Sequence, residues 1–303
     1  LRPIIGRVDP DGAGIGGLEL QFDDMLTGVD GSLAREVNSR GQSIASAQSE
    51  YVAPVRGGNL VTSIHRTLQF QVDGILQQQV ERLLARSGTA IVMHTKTGEI
   101  YAMSAVRRNE DGTYSNSSGN IGAVEAHEPG SVAKVFSVAA AIDEGKVTPQ
   151  STFVVPGKQV FNRGTQWEQE IKDAYPHPTE QMTVRKILVD SSNLGTVQIS
   201  ETLSTERNRQ WLSAFGFGEK TSLQFPGESK GLLKLARNWQ GTEKFTFAYG
   251  YGYASTSVQL VSAINVVAND GVYIGPKLVT HTVDENGNST PTPDAPTRRV
   301  LSS

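Results

Sequence analysis

The spacing of apolar positions along the chain changes at about residue 60. Residues 1–59 are rich in Gly, Asp and Ser and hold only short apolar groups, which predict brief strands and one helical turn in a small, irregular unit. Within this unit, residues 41–59 have the Ser, Gly and Pro content of a connector or an extended arm. We therefore predict a domain boundary between residues 58 and 59.

The pattern after residue 59 is regular and predicts a strand, a long helix and a hairpin. Residues 60–64 form a strand candidate, and residues 67–86 place their apolar side chains on one helical stripe. Residues 89–94 and 99–104 are strand-like runs around the polar turn 95–98, so we expect an antiparallel hairpin that packs on the helix. The stripe consists of Leu68, Val72, Ile75, Leu76, Val80, Leu83 and Leu84.

Helical spacing recurs in the rest of the chain. Residues 131–144 follow a Pro-Gly turn and stop at Gly145, which predicts a helix between these two breaks. Further helices are predicted over residues 184–189, 194–203, 205–215 and 256–269, the last of them closed by Gly271. Helices inserted between sheet elements are typical of a mixed fold, of the α/β (α+β) class.

Composition and charge narrow the classes of function. The 28 basic residues nearly balance the 31 acidic ones, and from the net charge of -3 we predict no nucleic-acid partner. The chain has no cysteine, which excludes disulfides, thiolate zinc sites and cysteine nucleophiles. Because the five histidines are scattered without a closely spaced pair, we predict no metal site.

The chain gives no sign of a membrane span. Its longest apolar stretches fall far short of the ~20 residues that a membrane helix needs. Residues 1–7 also lack the charged start and the apolar region of a signal peptide. We therefore expect any export or anchor signal to lie upstream of residue 1 or to have been removed.

Ser131 and Lys134 are the strongest candidates for chemistry. They form the sole S-x-x-K of the chain, in the segment HEPGSVAKVF at the start of a predicted helix, where positions three apart share one face. A neutral lysine can take the proton of a serine hydroxyl, and the helix N-terminus offers N–H groups to a developing oxyanion. The alternative is chance, since S-x-x-K should arise about once in a chain of this length.

Ser191-Ser192-Asn193 separates two predicted helices. Such a junction can present Ser191 and Asn193 into a cleft, where a hydroxyl relays a proton and an amide holds a peptide carbonyl. The alternative is a helix N-cap, for which Ser and Asn are favoured residues. A second S-x-N, at residues 118–120, lies in a polar stretch that we interpret as a loop.

Together these motifs resemble the class B, cell-division type of the penicillin-binding protein transpeptidase family, whose motifs are S-x-x-K, S-x-N and K-[ST]-G. The segments GIGGLELQFDDMLTG (14–28), SIHRTLQFQVDGIL (63–76), TKTGEIYAMS (95–104), FPGES (225–229) and FAYGYGYASTSVQL (247–260) extend the resemblance over nearly the whole chain. It implies the fold shared by these transpeptidases and serine β-lactamases, an antiparallel sheet flanked by helices. Residues 1–58 would be part of a pedestal domain, and residues 59–303 an incomplete transpeptidase domain.

The resemblance also implies roles for individual residues. Ser131 would be acylated by the terminal D-Ala-D-Ala of a stem peptide, and its N–H would form half of an oxyanion hole. Lys134 would be the general base, Ser191 would shuttle the proton and Asn193 would bind the substrate amide. Glu128, in the approach to the nucleophile, would hold the loop. We expect a hydrogen bond between Ser131 and the Lys134 amine, Asn193 in the same cleft, and a lowered pKa for Lys134.

The implied partners belong to cell-wall synthesis. They are peptidoglycan stem peptides, lipid-linked precursor strands, β-lactams and division proteins of the membrane such as a SEDS-type glycosyltransferase, and no cofactor is implied. The catalytic domain would be extracytoplasmic, on a single membrane anchor. Two alternatives stay open: a non-catalytic division scaffold, and a β-lactam sensor or β-lactamase-like protein. Against a class A β-lactamase, the chain contains no Leu-Asn dipeptide, and so lacks that family's E-x-x-L-N segment.

The third motif departs from the family. The one K-[ST]-G is Lys96-Thr97-Gly98, which precedes Ser131, whereas the family's functional triplet follows S-x-N by more than a hundred residues. We interpret Lys96-Thr97-Gly98 as the turn of the predicted hairpin. The sequence is therefore expected to end before its own third motif, without the second oxyanion donor.

Overall fold

Groups of helices and groups of strands follow one another in this computed structural model, which describes residues 1–35, 37, 39–40, 49–117 and 119–302. The helices are α1 (Arg2–Ile5), α2 (Gly17–Gln21), α3 (Asp23–Leu26), α4 (Arg66–Arg82), α5 (Ile121–Val124), α6 (Lys134–Asp143), α7 (Val184–Val189), α8 (Asn193–Ser200), α9 (Thr205–Ala214), α10 (Glu243–Thr246) and α11 (Ser257–Ala268). Short 3₁₀ turns lie at Gly130–Ala133, Ala236–Asn238 and Phe247–Tyr249.

The strands pair in small antiparallel sheets. They are β1 (Arg7–Val8), β2 (Gly14–Gly16), β3 (Ser32–Arg35), β4 (Ser49–Val52), β5 (Asn59–Thr62), β6 (Ser87–Met93), β7 (Ile100–Arg108), β8 (Tyr114–Asn116), β9 (Thr152–Val155), β10 (Lys158–Phe161), β11 (Gln169–Lys172), β12 (Glu180–Thr183), β13 (Val272–Ile274), β14 (Val279–Val283), β15 (Ser289–Pro291) and β16 (Thr297–Arg299). The expected mixture of helices and antiparallel strands is confirmed.

The described residues among the first 58 are irregular, as expected, but they are not isolated from the rest. Ile4 and Leu18 are buried in one apolar cluster with Ile100, Met103 and Leu278 of the later chain. The expected connector is also partly structured, because β4 pairs with β3 in an exposed hairpin, while residues 41–48 lie outside the described residues. Apolar side chains of the N-terminal unit thus complete the core of the larger one.

The predicted hairpin on a helix is confirmed. Strands β6 and β7 pair in antiparallel register, and Gln69, buried in α4, exchanges two hydrogen bonds with the backbone of Met103 in β7. The predicted extent of the helix is wrong at its C-terminal end, because α4 stops at Arg82 and Leu84 takes a left-handed φ of 50°. Leu83 and Leu84 are therefore exposed and do not continue the buried stripe. Ile75 is exposed as well.

The main core lies around α6, α8, α9 and α11. Phe136 of α6 packs against Phe215 and Phe217, with ring centroids 5.0 and 5.1 Å away. This cluster extends to Val197 and Ile199 of α8, so it holds the two helices that begin at the candidate motifs. Two antiparallel strand pairs between α6 and α7 were not predicted. They are β10 with β11 and, on either side of that pair in the sequence, β9 with β12.

No helix in the described part of the chain is long and apolar enough to cross a membrane. The described residues also bring together no cluster of His, Asp and Glu that could hold a metal ion.

Candidate active site

Ser131 stands on a tight turn in front of α6. The helix predicted over residues 131–144 is present, but its first turn is a 3₁₀ turn, Gly130–Ala133, and the α-helix begins at Lys134. Gly130 has a φ of 59° and donates its N–H to the carbonyl of Gly250 at 3.2 Å. The turn therefore rests directly on backbone of residues 247–250, and Ser131 is exposed at its surface.

Lys134 points inward from the same turn. The residue is 1% exposed, and its Nζ donates hydrogen bonds to the carbonyl oxygen of Ser191 and, at 2.9 Å, to Ser191 Oγ. The hydrogen bond expected between Lys134 and Ser131 is not among those that the described residues form. Lys134 instead donates both of these hydrogen bonds to Ser191, because its amine reaches the turn between α7 and α8.

Burial lowers the pKa of the Lys134 amine from its ordinary 10.5 to about 8, and the charge of Asp173 opposes the shift. Removing an ammonium group from water disfavours its charged form, whereas a nearby carboxylate favours it. The expected lowering of this pKa is confirmed, with burial as its main cause. At pH 7 about a tenth of such an amine is neutral and able to accept a proton.

The turn between α7 and α8 serves both interpretations of the Ser-Ser-Asn triplet. Ser192 is the N-cap of α8, since its Oγ accepts from the N–H of Gly195 at 2.9 Å. Ser191, one residue earlier, has a φ of 56° and turns its carbonyl and hydroxyl toward Lys134. A left-handed conformation costs a serine about 1–2 kcal/mol, so the surroundings must hold this turn in place.

Asn193 is half-buried at the start of α8, and its Nδ2 donates to the carbonyl of Lys172 at 2.8 Å. It lines an open cavity of about 480 Å³ together with Glu128 and Tyr249. Ser131 is not among the residues that line this cavity, and the cleft shared by Ser131 and Asn193 stays a prediction. The Oε1 of Glu128 accepts from the N–H of Gly252 at 2.9 Å, in keeping with a role in holding the loop.

Asp173 was missed in the sequence. Its buried carboxylate accepts from the N–H of Leu194 at 3.0 Å, and it contacts His177 Nε2 at 3.0 Å. It thus ties the first turn of α8 to the loop between β11 and β12. A single Asp in a polar loop, between two strands too short to predict, carries no pattern that would have identified it.

The other motif-like segments lie elsewhere. Lys96-Thr97-Gly98 forms the turn between β6 and β7, as we interpreted it, and Lys96 pairs with Asp270 on the surface. Ser118 lies outside the described residues, so the structure does not test the loop expected at residues 118–120.

The family model for the penicillin binding protein transpeptidase domain matches residues 88–303. Penicillin-binding protein PbpB of Mycobacterium tuberculosis is 31% identical over 309 residues, which cover 99% of this chain and 44% of PbpB. The probable peptidoglycan D,D-transpeptidase PenA of Neisseria flavescens is 33% identical over 267 residues, which cover 86% of this chain and 64% of PenA.

A solved structure gives the same result. Penicillin binding protein 3 of Mycobacterium tuberculosis, complexed with aztreonam, matches with a TM-score of 0.84 and 29% identity. The match covers 99% of this chain and 63% of that one. The chain thus spans less than two thirds of the length of each of these relatives.

Proposed function

The chain belongs to the penicillin-binding protein transpeptidase family, and from that membership we propose that it carries the serine acyl-transfer site of a peptidoglycan D,D-transpeptidase. The observation that carries the proposal is the buried Lys134 amine, hydrogen-bonded to Ser191 and three residues after an exposed serine. A buried lysine with a lowered pKa is the activating base that a serine nucleophile needs.

In the proposed reaction Ser131 Oγ attacks the carbonyl carbon of the penultimate D-alanine of a stem peptide. An ester bond forms, the peptide C–N bond breaks and D-alanine leaves. The hydroxyl proton passes to Lys134 Nζ and is returned to the leaving nitrogen, so atoms and charge balance. The amine of a second stem peptide then attacks the ester carbonyl carbon, a new peptide bond forms and the ester C–O bond breaks. The proton that this amine loses returns through Lys134 Nζ to Ser131 Oγ.

The hydrogen bonds of Lys134 suit this role. A neutral amine has two N–H groups and one lone pair, and Ser191 offers two acceptors, its carbonyl oxygen and its Oγ. With both N–H groups engaged there, the lone pair is left for the proton of Ser131. Ser191 Oγ, in contact with the same amine, is the group through which we propose that the proton reaches the leaving nitrogen.

We propose that Asn193 binds the substrate amide from the wall of the cavity that it shares with Glu128. Its Nδ2 is engaged by Lys172, so the substrate contact would use its carbonyl oxygen or follow a change of partner. We also propose that residues 59–303 belong to the transpeptidase domain and residues 1–58 to a pedestal. The mutual burial of Ile4 and Ile100 supports a fixed orientation of the two.

For the whole protein we propose a role in cell-wall synthesis at division. Its substrates would be stem peptides ending in D-Ala-D-Ala on lipid-linked strands, and β-lactams would acylate the same serine. The domain would act outside the cytoplasm, on a membrane anchor and beside division proteins such as a SEDS-type glycosyltransferase. The names of the relatives, PbpB and PenA among them, support the enzymatic part of this proposal.

Acylation by a penicillin tests the function directly. Incubation with a fluorescent penicillin should label the chain, and mass spectrometry of the digested protein should find the penicilloyl group on the peptide that contains Ser131. The Ser131→Ala variant should show no label, because it lacks the oxygen that forms the ester.

Ser137→Ala is a matched control, since Ser137 lies in the same helix but donates to the carbonyl of Ala248 inside the core. It should be labelled like the parent. A penicilloyl group on another residue would contradict the assignment of Ser131, whereas a folded parent protein without any label would favour a non-catalytic scaffold.

A further inference from the structure

His177 lies between two acceptors. Its Nε2 is 3.0 Å from Asp173 Oδ2, and its Nδ1 is 2.8 Å from the carbonyl oxygen of Pro178. Glu180 Oε1 is also 3.6 Å from Nδ1. The side chain is 16% exposed and that of Asp173 is 6% exposed, so water has little access to the pair.

Both ring nitrogens of His177 must therefore donate. A neutral imidazole has one N–H, and either tautomer would turn a lone pair toward an oxygen that has no proton to offer. Only the imidazolium form satisfies the carboxylate and the carbonyl together. In agreement with this, the hydrogen bond to Asp173 raises the pKa of His177 above its ordinary 6.5, against the effect of burial.

Asp173 connects this imidazolium to the candidate active site. Its second oxygen, Oδ1, accepts from the N–H of Leu194, the residue after Asn193. Its charge also acts on the Lys134 amine, whose pKa it raises. The carboxylate thus has one oxygen on His177 and the other on the first turn of α8.

We infer that His177 is a positioning residue of the acyl-transfer site, which acts through Asp173 to hold the Ser191–Asn193 turn and to offset the negative charge that faces Lys134. The consequence for acylation rests on the proposed function. The effect on the Lys134 amine itself does not.

The charged groups around His177 define what its titration does. Asp173 lies at Nε2, and Glu180, at the start of β12, lies beyond Nδ1. Lys186 of α7 is 3.7 Å from Glu180 and also pairs with Asp190, so Glu180 has a cation of its own. Among the residues that the structure describes, His177 is the one cationic side chain at hydrogen-bond distance from Asp173.

Loss of the proton should therefore act on Lys134. Below its folded pKa, His177 is charged and offsets the field of Asp173, so Lys134 loses its proton more readily. As the pH rises through that pKa, the offset is lost and the ammonium form of Lys134 is favoured again. His177 thus supports the active base on the acidic side of the range and withdraws that support on the alkaline side.

The test measures the Lys134 amine directly in the 303-residue protein, by NMR of labelled lysine side chains over a pH series. His177→Gln keeps a side-chain hydrogen-bond donor but removes the charge. At a pH below the folded pKa of His177, it should lower the neutral fraction of Lys134 about two- to five-fold. Asp173→Asn should raise that fraction, because the opposing carboxylate is gone.

The double variant decides whether His177 acts through Asp173. In the Asp173→Asn background, His177→Gln should leave the Lys134 titration where Asp173→Asn put it, because the partner of the charge is absent. Tyr175→Ala, a change of an exposed residue in the same loop, should titrate like the parent. The acylation rate of His177→Gln should reach half its maximum at a higher pH than that of the parent.

Two results would overturn the inference: an unchanged Lys134 titration in His177→Gln, or an equal effect of His177→Gln with and without Asp173. A purely structural role of His177 gives the first result, since glutamine keeps a hydrogen bond. If the parent protein takes up no penicillin, the proposed function fails, whereas the NMR titration still decides the role of His177.

Discussion

Lys134 and Lys96 each stand in a short segment that fits the pattern of a family motif, S-x-x-K and K-[ST]-G, yet their surroundings are opposite. Lys134 is 1% exposed and donates to Ser191 in the turn between two helices. Lys96 lies in the turn of a hairpin, where its side chain is 59% exposed and contacts Asp270 at 2.9 Å. The same chemical group is thus desolvated in one region and hydrated in the other.

This difference decides which lysine can be a base. Burial moves the pKa of Lys134 to about 8, so a neutral amine is available near neutral pH. Lys96, whose side chain contacts water and Asp270, lacks the burial that acts on Lys134. A K-T-G triplet therefore has no catalytic meaning without the burial and neighbours that its place in the fold provides.

The largest expected difference between the two lysines is the effect of their replacement on the acylation rate. Lys134→Ala should slow penicillin acylation by about a hundred- to ten-thousand-fold, because general-base catalysis is lost. The measurement is the second-order rate of penicilloyl formation, followed by mass spectrometry. Lys134→Met, which keeps most of the side-chain volume, should be equally slow, which separates the loss of the amine from the effect of a cavity.

Lys96→Ala is the matched control and should acylate within about two-fold of the parent, since its charge lies on the surface. If Lys134→Met kept the parental rate, Lys134 would not be the base. A large loss of rate in Lys96→Ala would instead give the hairpin turn a part in the site.

Much of the fold could be predicted because its long elements carry their own pattern. The stripe that includes Val80 predicted α4, and the apolar run at Ile187 predicted α7. The strands β9 to β12 could not be predicted, because each has four residues and an irregular mixture of exposed and buried positions. Such strands are defined by their pairing partners, and β9 pairs with β12 across more than twenty residues.

The site was predictable as far as its motifs reach. Ser131 and Lys134 were found by spacing, and the Ser191–Asn193 turn was found by its place between helices. The direction of the Lys134 amine could not be predicted. Helical spacing places Lys134 on the same face as Ser131, whereas in the structure the amine points to Ser191. Asp173 and His177 were missed because a loop, and no periodic pattern, brings them to α8.

Two glycines allow a finer comparison of these regions. Gly250 lies against the turn that carries Ser131, and Gly98 lies in the hairpin turn of Lys96. A Cβ on Gly250 would lie 2.0 Å from the carbonyl oxygen of Gly130, and one on Gly98 would lie 2.1 Å from that of Gly275. Both glycines also have a positive φ, 92° and 73°. Gly250→Ala and Gly98→Ala should therefore each destabilise the protein by about 1–3 kcal/mol, measured by urea unfolding.

Only one of these variants should affect the chemistry. Gly250→Ala pushes on the turn that carries Ser131 and should slow acylation at least about ten-fold in the folded protein, because small displacements at a reacting centre are costly. Gly98→Ala should acylate like the parent at a temperature where both are folded. Equal losses of rate in the two variants would mean that acylation follows overall stability and that the turn of Ser131 has no special place.

The smallest expected effect concerns the ion pair of Lys96 with Asp270. Both side chains are mostly exposed, and such pairs contribute about 0–1 kcal/mol, because water screens the attraction and ordering the lysine costs entropy.

The Lys96 contact lowers the pKa of Asp270, so the small stabilisation is present above the ordinary pKa of an aspartate and is lost as the pH falls through the lowered value. Lys96→Ala should thus leave the free energy of unfolding at pH 7 almost unchanged in low salt, with a still smaller difference in 1 M salt, where charges are screened within about 3 Å. Urea unfolding of parent and variant at both salt concentrations measures the difference, with Asp270→Asn as the reciprocal variant. A clear loss of stability in low salt that disappears in 1 M salt would show that the hairpin turn depends on its charge, and Lys96 and Lys134 would then differ in chemistry alone and not in their importance for stability.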